Sequence, residues 1–118
     1  MVIGIIGLGL IGGSIAKALK EKTNIEIVAM NRSEKSLIDA YNDGVIDKYS
    51  LTDMSIFKEC DIIIVCTTVD TIPTYVSKLK PYIKKDCIIT DVGSTKKKIC
   101  DTLSNIKDIC FIGGHPMA

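Results

Sequence analysis

Val2-Ile3-Gly4-Ile5-Ile6 is a run of strand formers that breaks into Gly7-Leu8-Gly9-Leu10-Ile11-Gly12 and then continues with helical spacing. A buried strand that must turn at once into a helix, with glycines in a G-x-G-x-x-G pattern, leaves few folds open. Gly7 permits the tight turn, Gly9 lets a pyrophosphate approach bare backbone, and Gly12 lets the helix pack closely on the strand. The helix start at Leu10 and Ile11 offers unpaired N–H groups and partial positive charge to phosphates. The pattern predicts a dinucleotide-binding β-α unit.

The same opening is apolar enough to suggest a signal peptide or a membrane span. No basic residue precedes the apolar run, and glycines fall at positions 4, 7, 9, 12 and 13. Lys17 and Lys20 interrupt it before the ~20 apolar residues that a spanning helix requires. It reads as neither.

The 118 residues make one small domain, and an apolar fraction of 47% is enough for a core. A net charge of +1 makes no case for nucleic acid or an anionic membrane, and the absence of tryptophan argues against base-stacking platforms. The cysteines (Cys60, Cys66, Cys87, Cys100 and Cys110) are odd in number and form no CxxC pair. Cys66, Cys87 and Cys110 fall in strands expected to be buried, where a reduced thiol behaves as a small hydrophobe. That usage fits a reducing cytoplasm. With His115 the only histidine, no metal site is expected.

Strand and helix signals alternate along the chain, which predicts an α/β domain. Strands are expected at Val2–Ile6, Glu26–Met30, Asp61–Cys66, Cys87–Thr90 and Ile109–Ile112, with a short edge strand near Lys48–Ser50. The 61–66 run is continuously apolar and reads as a central strand covered on both faces. The first helix runs from about Leu10 to Glu21, with Ile11, Ile15, Ala18 and Leu19 facing the sheet. Ser33 caps a helix over Glu34–Asn42 that ends at Asp43-Gly44. A brief helix over Thr52–Glu59 takes Thr52 or Asp53 as its cap. Pro73 suits the first turn of the next helix, where Ile72, Tyr75, Val76 and Leu79 mark one buried face and Pro81 closes it. A last helix, capped by Ser94 or Thr95, carries Ile99, Leu103 and Ile106. The whole reads as a Rossmann-type, doubly wound parallel sheet in the order 3-2-1-4-5-6.

An NAD site usually places a carboxylate at the end of the second strand, where it hydrogen-bonds the ribose 2′-hydroxyl. This chain has Asn31-Arg32-Ser33 there. Asn31 can bond a ribose oxygen without repelling a 2′-phosphate, Arg32 can pair with that phosphate through its planar fork, and Ser33 can donate a hydroxyl. NADP is therefore expected over NAD.

Ligands of open α/β sheets bind beyond the carboxyl ends of the strands. Three segments arrive there. Thr67-Thr68-Val69-Asp70 makes a lip for the cofactor. Asp91-Val92-Gly93-Ser94 and Gly113-Gly114-His115-Pro116 carry groups that handle protons. His115, with an ordinary pKa of ~6.5, suits a general base near neutrality. Ser94 suits either a bond to substrate or imidazole, or a plain helix cap. Lys96-Lys97-Lys98 reads as a solvated helix face or as steering for an anionic substrate.

Gly7-Leu8-Gly9-Leu10-Ile11-Gly12-Gly13-Ser14, Thr90-Asp91-Val92-Gly93-Ser94-Thr95-Lys96 and the terminal Gly113-Gly114-His115-Pro116-Met117-Ala118 together resemble the prephenate and arogenate dehydrogenases of tyrosine biosynthesis. The resemblance spans the chain in order, and the G-G-H-P-M-A segment is its most specific part. It implies oxidative decarboxylation of prephenate to 4-hydroxyphenylpyruvate, or of arogenate to tyrosine, with NAD(P)⁺ as hydride acceptor. It assigns His115 to deprotonate the ring 4-hydroxyl and Ser94 to position histidine and substrate near the nicotinamide. Where many NAD-using members carry an acid, this chain has Asn31. Members of the family continue with a helical domain that makes a homodimer and supplies arginines for the substrate carboxylates. The chain is therefore expected to be a cofactor-binding half that is truncated before that domain, binds NADP with little or no turnover, and exposes apolar surface where the rest would pack.

Two other readings compete. A dehydrogenase or reductase of the 3-hydroxyacid or pyrroline-carboxylate type shares the same kind of N-terminal unit, and the G-G-H-P ending speaks against it. A nucleotide-sensing module without catalysis is opposed by His115 and Ser94 at adjacent strand ends.

Overall fold

The alternation of short apolar runs with amphipathic ones becomes a sheet with helices on both faces. The computed structural model describes residues 1–67, 69–91 and 110–113. Its strands are β1 (Val2–Ile6), β2 (Glu26–Met30), β3 (Lys48–Ser50), β4 (Ile62–Val65), β5 (Ile88–Asp91) and β6 (Cys110–Gly113). They lie in the order β3-β2-β1-β4-β5-β6, and every pairing is parallel. This is the Rossmann order expected from the sequence. The helices are α1 (Leu10–Lys22), α2 (Glu34–Asn42) and α3 (Ile72–Leu79). The expected last helix, with Ile99, Leu103 and Ile106, lies outside the described residues.

Alternate residues of each strand go to opposite faces, and the core divides accordingly. Ile6, Val28, Met30, Ile63, Val65 and Ile89 pack with Phe57 and with Ile72, Val76 and Leu79 of α3. On the other face, Ile3, Ile5, Ile27 and Ala29 pack with Ala16 of α1 and Leu37 of α2. In β4 only one face is fully covered: Ile63 and Val65 are buried, whereas Ile62 and Ile64 are half-buried.

Two helices differ from expectation for identifiable reasons. In α1 the buried stripe is Gly12 and Ala16, flanked by half-buried Ile15 and Leu19, and Ala18 is exposed. The spacing is helical, but the stripe is centred on the smallest side chains, because α1 approaches the turn before it too closely for larger ones. The brief helix at 52–59 is a 3₁₀ turn over Met54–Phe57, capped by Asp53, which accepts from the Ser55 N–H at 2.9 Å. Met54 and Phe57 stand three residues apart, which a 3₁₀ turn places on one side, and both are buried. Strand β5 begins and ends one residue later than predicted, so Asp91 belongs to it.

The amino edge of the sheet is tied by two aspartates. Asp61 accepts from the Val2 N–H at 2.9 Å and pairs with Lys84. Asp47 accepts from the Ile27 N–H at 2.7 Å and pairs with Lys20, whose amine also reaches the Ile25 carbonyl at 2.9 Å. The hydrogen bond from Lys84 holds the Asp61 carboxyl below its ordinary value, with the Val2 N–H assisting. Burial raises Asp47, but Lys20 and the Ile27 N–H outweigh it and leave the group below its ordinary 3.8. A carboxylate whose folded pKa is depressed contributes stability above its unfolded pKa and loses it as pH falls toward the folded one. Stability in urea is therefore expected to fall as pH drops below ~4, and Asp47→Asn with Asp61→Asn should flatten that fall. The effect is modest because both pairs are solvent-screened. An unchanged pH profile in the double variant would show that these pairs do not contribute.

Candidate functional site

Strands β1 and β4 are neighbours whose connections leave toward opposite sides, and a cleft opens beyond their carboxyl ends. This is the place where a doubly wound sheet binds ligands. Its floor begins with the glycine turn. Gly7 has φ +95°, a backbone conformation that suits glycine, and its N–H donates to the Met30 carbonyl at 2.7 Å. A Cβ on Gly12 would sit 2.0 Å from the Gly7 carbonyl oxygen, so α1 rests directly on the turn. A Cβ on Gly9 would meet nothing within 4 Å, which leaves open space in front of that backbone. Gly9 is also the N-cap of α1, so the cap residue offers no side chain to the helix, and no acid occupies its first turn. The first-turn N–H groups, those of Leu10 and Ile11 among them, are of the kind that anions satisfy.

Asn31 has a role that the sequence reading did not anticipate. Its Oδ1 accepts from the Leu8 N–H at 3.0 Å, and its Nδ2 donates to the Ser33 carbonyl at 3.2 Å. The residue thus fastens the glycine turn to the end of β2, and one amide hydrogen remains for a ribose oxygen. Arg32 is exposed and lines the cleft. Ser33 caps α2, accepting from the Ser36 N–H at 3.5 Å, and is not part of the lining.

At the end of β4, Cys66 and Thr67 complete the floor. Burial pushes the Cys66 thiol up to about 11, helped by the nearby Asp91 carboxylate, so it stays protonated and unreactive at neutral pH. The Thr67 hydroxyl is buried with no hydrogen-bond partner among the described residues. A buried unpaired hydroxyl costs free energy, and a polar ligand in the cleft would relieve it. Asp91 itself is buried at the end of β5, in register with Val65 and with Gly113 of β6.

The far wall is α3, which the sequence reading had not placed at the site. Thr71, Thr74, Tyr75 and Lys78 line the cleft at i, i+3, i+4 and i+7, beside the apolar stripe of the same helix. The signal was present as a second, polar stripe. Tyr75, expected on the buried face, does pack against the core, but it is half-buried and lines the cleft as well. The cleft measures about 500 Å³, a size that accommodates a nucleoside, and among the described residues its lining carries two cations and no carboxylate.

The remaining expected site residues, Thr68, Ser94 and His115, lie outside the described residues, as do Lys96-Lys97-Lys98 and the Val92-Gly93 turn. So do the side chains of Leu10, Ile11 and Cys110. Among the described residues, Cys60, Cys66 and Cys87 form no disulfide. Among the described residues, no helix is long and apolar enough to cross a membrane.

Comparison with known proteins agrees with this geometry. The family model for the nucleotide-binding domain of prephenate dehydrogenase matches residues 15–118. Prephenate dehydrogenase of Bacillus subtilis is 38% identical over 116 residues, covering 95% of this chain and 31% of that enzyme. Among solved structures, arogenate dehydrogenase of Synechocystis superposes with a TM-score of 0.90 at 34% identity, over 98% of this chain and 41% of that one. Prephenate dehydrogenase of Aquifex aeolicus, solved with hydroxyphenyl propionate and NAD⁺, gives 0.89 at 30% identity, over 99% and 42%. The chain spans about a third of the length of the curated relatives it matches. On the fold, the glycine turn and the family match over 15–118, the chain belongs to the prephenate dehydrogenase family and corresponds to its nucleotide-binding domain.

Proposed function

We propose that this domain serves an NADP-preferring dehydrogenase of tyrosine biosynthesis that oxidatively decarboxylates prephenate or arogenate. The observation that carries the cofactor preference is the end of β2. Asn31 stands where an acid would repel a 2′-phosphate, Arg32 lines the cleft, and among the described residues no carboxylate does. The uncapped start of α1, the open space before Gly9 and the unpartnered Thr67 hydroxyl fit a dinucleotide. Gly7, Gly9, Leu10, Ile11, Gly12, Asn31, Arg32, Ser33, Thr67 and Thr68 form this reading's binding set, in which Ser33, although it caps α2, keeps a hydroxyl hydrogen to donate.

Bound NADP⁺ supplies a hydride acceptor. His115 takes the proton of the ring 4-hydroxyl as the carbonyl forms, and Ser94 orients imidazole and substrate. Loss of carbon dioxide leaves an aromatic ring, which drives the step. The protein's task is then to hold ring and nicotinamide together and keep His115 neutral beforehand. In this reading residues 1–118 are the cofactor half, a further helical domain grips the substrate and makes a homodimer, and the protein works in a reducing cytoplasm. The family match favours it over the 3-hydroxyacid and pyrroline-carboxylate types.

Calorimetric titration with NADP⁺ and NAD⁺ tests the cofactor. Arg32→Ala is expected to weaken NADP⁺ by ~30-fold or more, the loss of a charge-assisted phosphate contact, with NAD⁺ little changed. Asn31→Asp keeps an acceptor for the Leu8 N–H but sets a negative charge beside the 2′ position, and should reverse the preference. Tighter NAD⁺ binding by the unaltered chain would sink the NADP assignment.

A further inference from the structure

We infer that Lys78, on the α3 wall, is a second residue reading the 2′-phosphate of the cofactor's adenosine, beside Arg32 in the lining of the same cleft. This rests on the NADP reading above and extends it to a helix that the glycine pattern and the end of β2 do not include.

Lys78 occupies the last position of the polar stripe that α3 turns to the cleft. Its Nζ sits 6.0 Å from the centroid of the Tyr75 ring, itself part of the lining, so the amine is drawn back along the cleft wall. Position separates it from the other lysines: of the described cations, only Arg32 and Lys78 line the cleft, and among the described residues neither meets a carboxylate, as Lys20, Lys48 and Lys84 do. Two cations on one cleft, with no acid in its lining among the described residues, suit a dianion attached to a nucleoside. A 2′-hydroxyl would need neither. Lys78 supplies a compact point charge, and Arg32 a planar fork, to the same phosphate. Tyr75 also offers an aromatic surface for the adenine.

The probes are adenosine 2′,5′-bisphosphate and adenosine 5′-monophosphate, which differ only in the 2′-phosphate, titrated calorimetrically into the 118-residue chain. Lys78→Gln is expected to weaken the bisphosphate by ~10-fold and leave the monophosphate unchanged, with Lys78→Arg retaining most of the affinity. The salt dependence of bisphosphate binding should become shallower in Lys78→Gln. Lys78 is exposed, so the variants should fold as the parent does. Equal weakening of both probes would overturn the inference, since the effect would not be specific to the 2′-phosphate. A preference intact in Lys78→Gln but lost in Arg32→Ala would overturn the role of Lys78 and leave the NADP reading standing. If the unaltered chain binds both probes equally, or neither, the NADP reading fails and the role of Lys78 fails with it.

Discussion

Gly12→Ala is expected to cost this domain both its stability and its nucleotide. The new Cβ would lie 2.0 Å from the Gly7 carbonyl oxygen and 3.3 Å from the Cys66 Cβ. Both neighbours are held: Gly7 by its bond to Met30 and its positive φ, and Cys66 by its N–H to the Ile6 carbonyl at 2.7 Å. The overlap is with backbone, so α1 must move as a body. The cost should reach or exceed the top of the ~1–3 kcal/mol range for overpacking, lowering Tm by ~10 °C or more. Displacing α1 also moves the first-turn N–H groups, so nucleotide affinity should disappear. Gly9→Ala is the informative partner, because its Cβ meets nothing in the protein. It should keep Tm within a few degrees and still lose affinity, since it occupies the space reserved for phosphate. Thermal unfolding and calorimetry of both variants check this. A Gly12→Ala protein with normal Tm and affinity would refute the tight packing, and normal affinity in Gly9→Ala would refute the phosphate path.

Phe57→Ala should be the most damaging change in the core. The ring is fully buried, and it lies on Gly4, where a Cβ would come within 2.6 Å of Phe57 Cδ1. The glycine in the middle of β1 thus makes room for an aromatic ring supplied by the 3₁₀ turn. Truncation should cost about 3–5 kcal/mol, read as a lower midpoint in urea with unchanged slope. Gly4→Ala alone should destabilise by overpacking. Combined with Phe57→Leu it should cost less than the sum of the two, a coupling of ~0.5–3 kcal/mol for residues in contact. Strict additivity would mean that the ring and the glycine do not share that space.

These contacts show where the sequence was readable. Strand β1, strand β2 and helix α2 were found at their observed limits because local chemistry marks them: β-branched runs, and Ser33 before Glu34. The strand order followed from the glycine turn. What was not readable depends on residues far apart in sequence. The brace between Leu8 and Asn31 spans 23 positions, and nothing local to either residue announces it. In α1 Ile15 and Leu19 pack on the sheet as expected, Ala18 does not, and Gly12 and Ala16 were missed because size, not hydrophobicity, selects Gly12 against a close turn. The cleft wall of α3 was overlooked because its apolar stripe gave the stronger pattern.

The uncapped start of α1 has a consequence for the domain as a whole. A helix that lacks a capping side chain leaves its first amides to be completed by whatever arrives, so the nucleotide serves as the missing terminal residue of the fold. Folding and loading are then coupled equilibria. Each increase in nucleotide above its dissociation constant deepens the native state, by about 2.7 kcal/mol at a hundredfold excess. The empty domain sits closer to unfolding than the loaded one, and its persistence follows the supply of the molecule it binds.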